Sequence, residues 1–156
     1  MPRLPDRFDL FVRKARACPD PARQVDYVLG ALFALPAWYF LQAGSPLATA
    51  MMNMEGVDTA LLFTDSGRVE EIIHDQLPPG SPADVKTMPV IEAVDWCARR
   101  RAALLVNPGE DAVLIPFDQL ETFTREWLQR RETHASGFWI PNMTSEEEDF
   151  WQEQGL

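Results

Sequence analysis

Few residues in this sequence carry reactive chemistry, and their spacing says what each could do. Thr64-Asp65-Ser66-Gly67 offers hydroxyls and a carboxylate just after an apolar run, at the kind of strand end where α/β proteins hold ligands. The same residue types cap helices, because their side-chain oxygens accept the free N–H groups of a first turn. No glycine-rich phosphate loop and no lysine accompany them, so capping is the more economical reading. Asn107-Pro108-Gly109 is explained in the same way by turn geometry, since an oxyanion-type role would need a nucleophile and none is located. Thr64, Asp65, Asn107 and Gly109 are therefore kept as a candidate ligand site behind the capping and turn readings. His74 and Asp75 are neighbours in a helical stretch, where adjacent side chains point apart, so they are not expected to act as an acid–base pair. His134 is far in sequence from Cys18 and Cys97, and neither the cysteines nor the two histidines have the spacing of metal ligands. No catalytic set, cofactor or metal is expected, and the cysteine usage suits a reduced, cytoplasmic protein. Arg99-Arg100-Arg101 could meet phosphate, but it falls at the end of an expected helix, where cations are favoured by exposed carbonyls. Its counterpart is expected to be an acidic partner tail or the chain's own Glu146–Asp149.

These residues need a scaffold, and composition allows one. With 156 residues, 46% of them apolar, the chain is long enough for a single packed core. Fourteen Lys and Arg against 24 Asp and Glu give a net charge of −10, which opposes nucleic-acid binding. Residues 27–54 carry no charge, a run longer than the ~20 residues that span a bilayer. Pro36 interrupts its most apolar part, and Gln42-Ala43-Gly44-Ser45-Pro46 reads as a turn, so a membrane helix is not expected. The 26 mixed-charge residues before it do not resemble a short basic leader.

Along the chain, Phe8, Phe11, Val12 and Ala15 predict a short amphipathic helix, and Asp20-Pro21 starts a second with Val25, Val28, Leu29, Leu32 and Phe33 inward. Trp38–Leu41 has strand composition. Leu47–Met54 and Val57–Thr64 predict a hairpin across Glu55-Gly56, followed by a helix carrying Val69, Ile72, Ile73 and Leu77. A short extended piece near Val85 leads to a helix from about Pro89 to Arg101. Ala102–Val106 and Ala112–Ile115 predict a second hairpin, its turn expected to be type II with Pro108 and Gly109 central. Asp118 with Glu121 starts a helix expected to bury Leu120, Phe123, Trp127 and Leu128. The expected fold is an α/β or α+β single layered domain with a mixed sheet of about five strands and helices packed on it. An N-terminal helical pair (1–35) precedes the core (36–131), and an acidic helical tail (132–156) follows.

Two separated blocks, LLFTDSGRVEE at 61–71 and LLVNPGEDAVLIP at 104–116, resemble the N-terminal domain of the bacterial SseB family. Phe63, Thr64, Asn107, Pro108 and Gly109 match its pattern of a strand ending in Phe-Thr before a helix, and of a strand ending in Asn-Pro-Gly before a second strand and closing helix. The likeness covers roughly residues 37–128. It implies a small α/β module of poorly defined role with no established catalytic residues.

From Glu132 onward six acidic residues stand without Lys or Arg, and Thr144-Ser145 ahead of Glu146-Glu147-Glu148 predicts one short helix. Phe138, Trp139, Ile140, Phe150 and Trp151 give this tail the anchors of an interface, so they are the candidate protein-binding residues. They either dock on their own domain or engage another chain, and Phe138-Trp139-Ile140-Pro141 could add to a sheet edge. The expectation is a non-catalytic interaction or regulatory module with a protein partner or self-association. The alternatives are an acidic immunity or secretion-chaperone protein for a basic client, and a small-ligand-binding protein or enzyme acting near Thr64 and Asn107.

Overall fold

The computed structural model describes residues 7–109, 112–131 and 139–153, and within them the charge-free run splits: its first half, through residues 28–33, Trp38, Phe40 and Leu41, is largely protein interior, whereas most of residues 44–53 are exposed. Helix α1 (Arg7–Ala15) buries Phe11, Val12 and Ala15 and packs against α2 (Pro21–Phe33). Asp20 caps α2, its carboxylate accepting the Ala22 N–H at 3.1 Å, and Pro21 sits in the first turn where its missing N–H has no partner to lose. The last six residues of α2, Val28 to Phe33, are all buried rather than forming one stripe. A helix end without a solvent face, followed by a central strand, needs no charged residue. Among the described residues no helix is long and apolar enough to cross a membrane.

Strands β1 (Ala37–Ala43), β2 (Ala48–Thr49), β3 (Met51–Met54) and β4 (Val57–Phe63) come next, then α3 (Ser66–Gln76), β5 (Ala83–Pro89), α4 (Val90–Arg100), β6 (Ala103–Val106) and β7 (Val113–Ile115). Strand β1 is central: β5 lies antiparallel along its whole length, from Ala37↔Pro89 to Ala43↔Ala83, and β4 and β2 share its other pairings at Tyr39↔Phe63 and Gln42↔Thr49. Among the described strands only β4 and β6 run parallel, with Leu62 opposite Val106. Among the described residues the sheet therefore has seven strands where about five were expected. The single strand expected over 47–54 is broken at Ala50, whose N–H donates to Leu41 O at 2.8 Å before the chain passes from β1 to β4. The short piece expected near Val85 is a full seven-residue strand. Glu55 (φ 54°) and Gly56 (φ 85°) supply the two left-handed residues of a type I′ connection between β3 and β4, and Gly56 N–H donates to Asn53 Oδ1 at 2.9 Å.

Alternation along the strands gives the sheet two apolar faces. Leu41 and Phe63 meet Val69 of α3, with Ile72 and Ile73 packed beside them. On the opposite pleat Phe40 meets Trp96 of α4 at 5.7 Å between ring centres. Within the unit that holds the sheet, α3 lies against one face and α4 against the other.

Helices α5 (Phe117–Arg131) and α6 (Ser145–Glu153) complete the α+β fold. By its contacts the chain divides into two compact units, Met1–Leu35 with Asp118–Leu156, and Pro36–Phe117. Almost all of α5 thus belongs with the helical unit, whereas the sequence grouped 36–131 together. Inside that unit Phe33 meets Phe123 and Trp127 edge-on, both at 5.0 Å. These contacts fix which face of α5 is inward, and Leu128, one residue past Trp127 and expected to be buried, is 44% exposed.

Candidate functional site

The parallel pair β4–β6 brings the two candidate segments together. Asn107 N–H donates to Leu62 O at 2.8 Å, extending the ladder one residue beyond β6. The backbone of Asn107 then turns left-handed (φ 48°), a conformation that Asn tolerates better than most residues. Its side chain carries the pairing on: Oδ1 accepts the Thr64 N–H at 3.0 Å, and Nδ2 donates to Thr64 Oγ1 at 3.0 Å. Asn107 is 4% exposed, so these bonds replace water that the amide has lost. Gly109 has φ 141°. The turn thus uses positive φ at Asn107 as well as at Gly109, where the type II expectation required it only at the glycine.

Asp65 performs the expected cap. Its Oδ1 accepts the Arg68 N–H at 3.0 Å, and its Oδ2 meets Arg68 Nε at 3.1 Å. A Cβ at Gly67 would come within 3.1 Å of the capping Oδ1, a tight approach to which the carboxylate would have to yield. The hydroxyl and amide engage each other, and the carboxylate serves the helix and its arginine. Of the four candidate ligand residues, Thr64 and Asn107 are joined, Asp65 caps α3, and Gly109 shapes the turn.

Other reactive groups are equally occupied or exposed. Cys97 is fully buried, and burial pushes its thiol up to about 12, against a small opposing effect of Arg100, so it stays protonated. His74 and Asp75 do meet, Nδ1 to Oδ1 at 2.7 Å, contrary to the expectation that they point apart. Both side chains are well exposed, at 88% and 67%, which makes this a surface contact. Arg99 pairs with Asp95 at 2.8 Å, Arg100 lies over Trp96 at 4.2 Å, and Arg101 lies over Phe117 at 5.0 Å. Among the described residues no group of three or more His, Cys, Asp or Glu could hold a metal ion.

The tail has the denser polar construction. Thr144 Oγ1 accepts the Glu147 N–H at 3.1 Å, while Glu147 Oε1 accepts the Thr144 N–H at 3.2 Å, a reciprocal cap that starts α6. Glu147 also receives Arg23 of α2, through Nη2 at 2.7 Å and Nε at 3.3 Å, and the Tyr27 hydroxyl. Arg23 donates further to the carbonyls of Pro141 and, at 3.2 Å, Asn142. Burial alone would raise the Glu147 pKa, but the bonds from Arg23, Tyr27 and Thr144 outweigh it and hold the carboxyl at about 2. Burial and the bond to Glu147 push the Tyr27 hydroxyl up to about 12.

Of the candidate protein-binding residues, Ile140 is fully buried, and Trp139 packs 5.7 Å from Phe123 with Arg130 over its ring at 5.7 Å. These two dock at home and form no strand. Phe138 and the side chains of Phe150 and Trp151 lie outside the described residues, as does His134. Sequence reading found the Thr144 cap and missed Arg23 and Tyr27. Their four-residue spacing, which puts two polar-tipped side chains on one face of α2, was the available signal. No protein-family model matches the chain, and no curated protein matches it.

Proposed function

We propose that the chain is a non-catalytic, SseB-like protein-interaction or regulatory module working in a bacterial cytoplasm. The observation that carries this reading is the closed strand-end network: Thr64 and Asn107 satisfy each other, and Asp65 serves α3. Its two free cysteines suit a reducing compartment. A contact surface is offered elsewhere. Among the described residues, four of the eight large exposed hydrophobics, Leu47, Met51, Met52 and Val57, fall between residues 47 and 57. Methionine side chains adapt to irregular partner surfaces, and β3 pairs only with β4 among the described strands, leaving an edge for a partner.

Paired capture with wild-type chain and the M51E/M52E variant tests the reading. A partner identified by mass spectrometry is expected to bind the purified wild type and to bind the variant at least tenfold more weakly. A partner indifferent to the variant would overturn the assignment of the hairpin. A small molecule that raises the thermal midpoint and shifts the NMR signals of Thr64 and Asn107 would overturn the non-catalytic reading itself. A second reading, an acidic immunity or chaperone protein, draws on exposed Glu146, Glu148, Asp149 and Glu153 along α6. Charge neutralisation there would abolish binding of a basic client and leave hairpin-mediated binding intact.

A further inference from the structure

The tail is held as a ligand is held. Residues 139–147 meet the rest of the helical unit through the side chains of Arg23, Tyr27, Phe123 and Arg130. Recognition has three parts. Ile140 is buried completely, which supplies apolar anchoring. Arg23 donates to two consecutive backbone carbonyls, at Pro141 and Asn142, a contact made with main chain rather than with side chains. Seven residues after Ile140, Glu147 places one carboxylate between Arg23 and Tyr27. The segment is also shaped on its own: Asn142 takes φ 55°, and the reciprocal Thr144–Glu147 cap presents the carboxylate without help from α2. None of these contacts depends on which chain supplies the segment.

We propose that the α2 face bearing Arg23 and Tyr27 is a segment-binding site, filled at rest by the chain's own residues 139–147 and able to accept the same segment of a second copy. This face shares no residue with the β3–β4 hairpin. Covalent attachment gives the home segment an effective concentration in the millimolar range, so it outcompetes a second copy at micromolar protein. Exchange becomes dominant when the home pair is made repulsive.

Charge reversal makes the test with full-length chains. R23E sets two carboxylates against each other within one chain, and E147R does the same with two guanidinium groups, so each variant opposes its own tail. In a mixture, the native α2 face of the E147R chain can take the native tail of the R23E chain, and the reversed face and reversed tail attract each other in turn. Light scattering at about 20 μM, far below the millimolar effective concentration of an attached segment, is expected to give monomers for each variant alone and one species of twice the mass for the mixture. Near-UV circular dichroism confirms that each variant is folded. Two folded variants that stay monomeric when mixed would overturn the proposal. A second measurement needs no variant protein: a labelled peptide of residues 139–153 is titrated into wild-type chain, with its Glu147→Lys form as control. The native peptide is expected to bind at least tenfold more tightly than the control. Equal binding, or failure of the native peptide to displace the resident tail at millimolar concentration, would equally refute it.

Discussion

Asn107 does two separable things, and a pair of substitutions distinguishes them. Its backbone occupies the left-handed region at φ 48°, and its amide accepts the Thr64 N–H in a position 4% exposed. Asn107→Ala removes the acceptor and places a Cβ residue without a compensating side chain in that conformation. The unsatisfied donor costs about 1–3 kcal/mol, and the left-handed backbone adds about 1–2 kcal/mol, so the loss should be about 2–5 kcal/mol. Asn107→Gly removes the same acceptor but accepts the backbone freely, and should lose about 1–3 kcal/mol. Thr64→Val keeps the N–H bond and removes only the hydroxyl, so its cost should be about 1 kcal/mol and should be strongly non-additive with Asn107→Ala. Urea unfolding followed by far-UV circular dichroism measures all three at constant slope. Glycine as costly as alanine would show that backbone conformation plays no part. Alanine costing under about 0.5 kcal/mol, the level of ordinary surface substitutions, would show that the amide is not framework and would reopen the ligand-site reading.

Three further outcomes follow from the same geometry. Docking of residues 139–147 should be constant from about pH 5 to 9, because neither Glu147 nor Tyr27 changes charge in that window. Glu147, held at about 2 against an ordinary 4.5, contributes stability that is complete above 4.5 and lost as the pH falls through about 2. Tyr27, raised from 10.0 to about 12, contributes below pH 10 and loses this as the pH rises through 12. Burial raises Asp26 nearby, despite Arg23 and with Glu126 adding to the rise, so its protonation offsets part of the acid loss. An Ile140 methyl NMR signal reaching its released position with a midpoint at pH 4.5 or higher would contradict this. Ile140→Ala should destabilise the chain by about 2–5 kcal/mol in urea, as removal of a fully buried aliphatic side chain does, and a neutral result would mean the tail is not anchored. Cys97 should resist a thiol reagent in native buffer and react only on unfolding, because burial keeps it protonated; rapid native labelling at Cys97, located by mass spectrometry, would refute that.

What could be read from the chain beforehand divides along the range of the interactions. Asp20, Asp65 and Thr144 cap helices within three residues, and Glu55-Gly56 turns a hairpin within two, so local chemistry identifies them. Strand β5 was less legible because Asp84, Lys86 and Pro89 give it the polar character of an edge, and only pairing with β1 makes it a strand. Asn107 was readable as a turn residue but not as the acceptor for Thr64, 43 residues away. The widest gap separates Arg23 from Glu147, 124 residues apart, each at a position where a solvated charge would look the same. Periodicity records which face of an element is apolar, and capping records where it starts. Which arginine meets which glutamate depends on the arrival of a distant segment, and that arrival is selected here by a buried isoleucine that carries no charge pattern at all.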